Sequence, residues 1–156
     1  MDREILFRAK PKDDYFNKGW QYGLVYCTWF SGSIFKYWLT PIKKENLTTA
    51  DTVCVNPETI CEYTGIADKN GVKIFDGDIV RIGRYFNNNF YTEDNYVCRY
   101  DTNTASFKFY YIVPKDIADV NKYAILGDGA TLSDMGRGFT IEVIGNIYDN
   151  PELIEE

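Results

Sequence analysis

Apolar and polar positions alternate with a period of two along most of the chain, in short runs broken by Gly, Asn, Asp or Pro. That period belongs to strands, because successive side chains of an extended backbone project to opposite faces. A first strand is expected over residues 5–9, followed by a polar loop over 10–19. Residues 20–30 are rich in Tyr, Val and Trp, Ser31-Gly32-Ser33 punctuates them, and residues 34–39 resume the pattern before Pro41. Two β-rich runs around a short Gly-containing turn predict a hairpin. Strand alternation then places Trp20, Tyr22, Leu24 and Tyr26 on one face and Gln21, Gly23 and Val25 on the other. Residues 43–52 are polar, and 53–55 form a short strand ended by Asn56-Pro57.

The next stretch is written in turns. Residues 59–65 alternate as a strand, and Asp68-Lys69-Asn70-Gly71 predicts a type I′ hairpin turn, since Asn-Gly tolerates positive φ. A strand over 73–75, a turn at Asp76-Gly77-Asp78 and a strand over 79–82 follow. Small barrels are commonly built from short strands joined by Gly and Asp turns. A polar connection at 87–89 leads to a hairpin with arms 96–100 and 105–113, turning at Asp101-Thr102-Asn103-Thr104. Residues 114–126, opening on Pro114, are the one helix-favouring segment, with Ile117, Val120 and Ile125 as its apolar stripe. Residues 127–138 hold four glycines and read as a loop, and 139–144 form the last strand. The fold class is therefore mainly β, a small barrel elaborated with an additional aromatic-rich hairpin and at most one short helix.

Composition narrows the picture. The 156 residues suit a single unit spanning 1–156, with a subdivision into 1–58 and 59–156 and an insertion at 87–137. Net charge is −6 and is unevenly placed. Residues 1–83 carry eleven basic and eleven acidic side chains, whereas residues 84–156 carry six and twelve. Affinity for nucleic acid comes mainly from neutralising phosphates, so the acidic half argues against a general DNA-binding surface. Arg8, Lys10, Lys12 and Lys18 form a short basic patch. Cys27, Cys54, Cys61 and Cys98 include no C-x-x-C pair, and with no histidine in the chain no mixed zinc site is expected. The opening residues lack an apolar signal segment, and no apolar run has the length of a membrane helix. A reduced, cytoplasmic protein without cofactors and without membrane attachment is expected.

Chemistry-bearing motifs are few. Asp68-Lys69-Asn70-Gly71 resembles the centre of a calcium loop, but aligning Gly71 with its invariant glycine puts Ile66 and Gly77 where carboxylates are required. The glycine loop Gly127-Asp128-Gly129 and Gly136-Arg137-Gly138 lacks the lysine of a phosphate-binding loop, leaving Arg137 as its anion contact. Without histidine, the usual Ser-His or Cys-His activation is unavailable. Asp76 and Asp78 are the carboxylate pair nearest an acid–base arrangement, although turn aspartates more often satisfy backbone amides. No catalytic residues are assigned, and the protein is not expected to be an enzyme.

Trp20, Tyr22, Tyr26, Trp29, Phe35, Tyr37 and Trp38 give the first hairpin aromatic residues on both faces, more than one core needs. Aromatics are enriched at interfaces, which points to self-association. The candidate binding positions are Trp29, Tyr37, Trp38 and Arg137.

Three segments, in order, resemble the YopX family of phage and prophage proteins. They are Arg3-Glu4-Ile5-Leu6-Phe7-Arg8-Ala9, the stretch Tyr63-Thr64-Gly65-Ile66-Ala67-Asp68-Lys69-Asn70-Gly71-Val72-Lys73-Ile74-Phe75-Asp76-Gly77-Asp78-Ile79-Val80, and Glu142-Val143-Ile144-Gly145-Asn146-Ile147-Tyr148-Asp149-Asn150-Pro151-Glu152-Leu153. The resemblance implies an SH3-like barrel and homo-oligomers, encoded by a phage or integrated element of a low-GC Gram-positive bacterium. It implies no biochemical activity and supplies no catalytic residues. The expected function is that of an accessory protein acting by binding, on a host protein or a small host-derived ligand. The alternative is a nucleic-acid-binding small barrel in phage replication or transcription control, its aromatic strands stacking single-stranded bases.

Overall fold

The computed structural model describes residues 4–12, 19–30, 34–42, 51–86, 89–112 and 138–154. The helix-favouring segment 114–126 and the glycine loop up to residue 137 lie outside them. The chain divides into two compact units, Met1–Gly65 and Ile66–Glu156, and every described element longer than a turn is a strand.

In the first unit, β1 (Phe7–Ala9), β2 (Gln21–Phe30), β3 (Ile34–Thr40), β4 (Val53–Val55) and β5 (Cys61–Ala67, which runs on past Gly65) lie in the order β4-β3-β2-β1-β5. Neighbours are antiparallel throughout. The aromatic hairpin forms as expected, with Tyr26 opposite Trp38, Cys27 opposite Tyr37 and Trp29 opposite Phe35. At its base β2 changes partner: Leu24 pairs with Thr40 of β3 while Gly23 pairs with Phe7 of β1. Glycine is required there, because a Cβ at position 23 would stand 2.0 Å from the carbonyl oxygen of Thr40. Ala9, Leu39 and Val55 form the buried centre, with Val25, Tyr37 and Ile60 packed around it. A 3₁₀ turn, Pro57–Thr59, is capped by Asn56, whose side chain accepts the Glu58 N–H. Its Thr59 hydroxyl accepts the Lys10 N–H at 2.9 Å, which anchors the chain after β1.

In the second unit, β6 (Lys73–Phe75) is followed by β7 (Asp78–Phe86), β8 (Asn89–Asp101), β9 (Ser106–Tyr111) and β10 (Phe139–Asn146). The last four form an antiparallel sheet in the order β10-β7-β8-β9. Its core is Ile74, Val80, Ile82, Tyr96, Cys98, Phe109 and Ile141, with Ile66, Phe107, Tyr111, Phe139 and Val143 packed against it. Burying such side chains is the main favourable term, about 1.5–3 kcal/mol each for the larger ones.

Two local expectations change. β7 and β8 run well beyond residues 82 and 96, so that Phe86 pairs with Asn89. Asn89 opens β8, and the aromatic residues that flank it and residues 87–88, which lie outside the described residues, favour strand. The Asp68 turn is not of type I′, which needs positive φ at both central residues. Gly71 has φ 81°, but Asn70 does not have positive φ. Asp68 decides this: its Oδ1 accepts the N–H groups of both Asn70 and Val72, at 2.7 and 2.9 Å. That bracing holds a right-handed turn closed by a single left-handed glycine, the three-residue hairpin loop. The turn then reaches β10, where Lys69 N–H donates to the Ile141 carbonyl and Asp68 Oδ2 accepts the Val143 N–H.

Candidate functional site

Hairpin register sorts the aromatic residues into two sets. Val25, Cys27 and Trp29 share a face with Phe35, Tyr37 and Leu39, and the other face carries Tyr22, Leu24, Tyr26, Thr28, Lys36 and Trp38. Near the base of the first face, Leu39 is buried and Val25 and Tyr37 pack around it. Further along the same face the cover ends: Trp29 is 68% exposed, Phe35 is 56% exposed, and Cys27 is exposed. On the second face Tyr22, Leu24 and Tyr26 are each close to half exposed. Trp38 is half-buried, and its indole Nε1 donates to the Thr28 hydroxyl at 2.8 Å, so that side chain is held in place.

Of the candidate positions, Trp29, Tyr37 and Trp38 therefore all sit on the hairpin, but they are not one site. Trp29 is an exposed contact residue, Tyr37 belongs to the core beneath it, and Trp38 lies on the opposite face. Arg137 lies outside the described residues. Leu24 and Phe35 complete the two exposed patches, and neither is among the candidate binding positions read from sequence. One signal in the chain finds them: from Gly19 to Ile42, Lys36 is the only charged residue, in a protein of 26% charged composition. Charge depletion with aromatic enrichment is the mark of a contact core.

The basic patch fares differently. Arg8 is buried, its guanidinium 4.4 Å from the centre of the Trp20 ring, with the Lys10 ammonium 5.2 Å from the same ring. Cation–π contact of this kind fastens Trp20 to β1 and takes the Arg8 charge off the surface.

In the second unit, Asp76 Oδ1 accepts the Tyr100 N–H at 3.0 Å and lies 3.9 Å from the Arg99 guanidinium. Asp78 is buried and its Oδ2 accepts the Phe75 N–H at 2.8 Å. Both turn carboxylates thus hold backbone amides. Burial pushes the Cys98 thiol well above the usual range, and the nearby Asp76 and Asp78 charges add to the effect, so this cysteine is kept unreactive. Among the described residues no three Cys, Asp or Glu side chains gather as a metal site, and no helix there is long and apolar enough to cross a membrane. A concavity of about 460 Å³ also opens in this unit, its lining including Arg81, Glu93, Asp94, Asn95, Ile112 and Leu153.

The family model described as YopX protein matches residues 7–155, both units included. The chain belongs to the YopX family. Among solved structures it is similar to protein EF1440 from Enterococcus faecalis, at 20% identity over 98% of this chain and 99% of that one, with a TM-score of 0.47. No curated protein matches it. Family membership brings no activity with it, so the function rests on the surfaces described above.

Proposed function

We propose that this is a phage-encoded accessory protein that acts by binding, as a homo-oligomer, on a host protein or a small host-derived ligand in the bacterial cytoplasm. The observation that carries this reading is the β2–β3 hairpin, which displays aromatic and aliphatic side chains on both faces with a single charge among its residues. Exposed apolar surface of that extent marks a contact site. Residues 19–42 include no carboxylate and no imidazole, the usual general bases. A small ligand, where one is bound, fits the concavity of the second unit, whose mostly polar lining, with Arg81, Glu93, Asp94 and Asn95 beside Ile112 and Leu153, suits a compact polar molecule.

Native mass spectrometry of protein purified gently from a bacterial host tests the reading. A multimer carrying an added small mass or a co-purified host chain is expected. A bare monomer, or turnover of a nucleotide that is abolished by replacing Asp76 or Asp78, overturns it. Nucleic-acid binding is the second reading, and the burial of Arg8 against Trp20 weighs against it. Its signature is affinity for DNA or RNA that falls steeply with salt.

A further inference from the structure

We infer that Asn70 is a site of spontaneous deamidation whose rate is set by the Asp68 turn. Asn70 is the one asparagine in the chain that a glycine follows, and both Asn70 and Gly71 are exposed. The reaction needs only water. The Gly71 amide nitrogen attacks Asn70 Cγ, its proton ends on the carboxamide nitrogen, and that nitrogen leaves as ammonia. Water then opens the cyclic imide at either carbonyl. One opening gives aspartate, and the other gives isoaspartate, with the main chain rerouted through Cγ. Glycine favours the attack because no side chain shields its nitrogen. At Gly71 nothing stands within 4 Å of the place a Cβ would occupy.

In the folded turn the reacting groups are held in other contacts. The Gly71 N–H donates to the Asp68 carbonyl at 3.0 Å, so the nucleophile faces into the turn. The Asn70 N–H donates to Asp68 Oδ1 at 2.7 Å, which opposes the backbone rotation that would bring the Gly71 nitrogen to Cγ. The Asn70 side chain hydrogen-bonds the Glu142 carboxylate of β10, and Lys69 holds that carboxylate in turn at 2.8 Å. Reaction therefore proceeds from a locally opened turn, and its rate follows the population of that open state. The product acts back on the fold. A new carboxylate stands near those of Asp68 and Glu142 and repels them. Isoaspartate also lengthens the main chain before Gly71, which draws the Val72 N–H away from Asp68 Oδ1 and loosens the brace that reaches Val143.

The test ages the full chain in mildly alkaline buffer as folded wild type, as wild type in urea, and as folded Asp68→Ala and Glu142→Ala. Ion exchange follows the added negative charge, and peptide mapping with isoaspartate detection places it. Product should map chiefly to Asn70, forming slowest in folded wild type and fastest in urea. Asp68→Ala should react roughly 10-fold faster than wild type, because the open turn is more populated. Glu142→Ala leaves the Asp68 brace intact and should react roughly 3-fold faster. Circular dichroism verifies folding, and the partly exposed Glu142 carries the comparison where Asp68→Ala does not fold. Deamidated wild type, isolated by its charge, should unfold at lower urea concentration than the unmodified protein. Product arising mainly at another asparagine, equal rates in folded wild type and in urea, or folded variants no faster than wild type overturns the inference.

Discussion

The carboxylate of Asp68 accepts the backbone N–H of Val143 at 3.0 Å, across 75 residues of chain. The same side chain braces its own turn through Asn70 and Val72, so one aspartate ties the turn before β6 to β10. Val143 borders the β-bulge of β10, where the ladder to β7 shifts register before Gly145. The tie is made where the strand's own pairing is irregular. Replacing Asp68 with Ala should cost about 2 kcal/mol, because three N–H groups lose a charged acceptor. Urea unfolding of the purified variant measures it.

The same group makes stability depend on pH. Burial opposes the charged form of Asp68, but the N–H groups of Val143, Val72 and Asn70, with Lys69 nearby, outweigh it and hold the carboxyl below its ordinary value. A folded value below the unfolded one means stabilisation by the ionised form. That contribution is complete above the unfolded value of about 3.9 and is lost as pH falls through the folded value. Asp101 acts in the same direction, lowered chiefly by the Lys108 ammonium, against burial, with help from the Asn103 and Thr104 N–H groups and the Tyr110 hydroxyl. Thermal midpoints taken between about pH 2 and 6 should fall less steeply in Asp68→Asn than in wild type.

At the base of the hairpin, Gly23→Ala should destabilise the first unit by about 3 kcal/mol, since the new Cβ meets the Thr40 backbone and neither strand can withdraw. Gly19→Ala, with nothing within 4 Å of the added carbon, should be close to neutral. The pair, compared by thermal unfolding, separates a steric effect from a general intolerance of alanine.

Ala105 occupies the β8–β9 turn at φ 50°, a left-handed conformation costly for a residue with a Cβ. Ala105→Gly should raise stability by about 0.5 kcal/mol, the relief of strain being offset in part by the entropy of glycine. A rise in melting temperature of about 1–2 °C checks it.

Thiol chemistry offers a fifth check. Cys98 is buried and its thiolate disfavoured, and Cys61 is buried with its Sγ donating to the Thr59 carbonyl at 3.3 Å. Native protein at about pH 8 should leave both unmodified by iodoacetamide, with modification appearing only in denaturant. Mass mapping of the alkylated peptides reads this directly.

What was legible in sequence was local. Period-two alternation located the hairpin of residues 20–39, the strands at 53–55 and 73–75 and the last strand, because the alternation records which side chains face inward. The aromatic surplus was legible as well, since composition alone shows more rings than one core needs. The type of the Asp68 turn was not, because Asn-Gly permits the mirror-image turn while the carboxylate two residues earlier selects the other. Strand ends at 86 and 89 were hidden for a related reason: three consecutive asparagines read as loop until the aromatics on either side pair.

The sequence by itself determined a chain of short antiparallel strands, a family and an aromatic hairpin. Tertiary structure decided which of those aromatics meet water. Leu39, Tyr37 and Phe35 follow one another along a single face of β3, and nothing in their spacing separates them. Leu39 is buried with Ala9 and Val55, residues 30 and 16 positions away, whereas Phe35 lies 56% exposed. Alternation assigns a side chain to a face, but burial depends on what distant segments bring to that face, and that is set only when the sheet assembles.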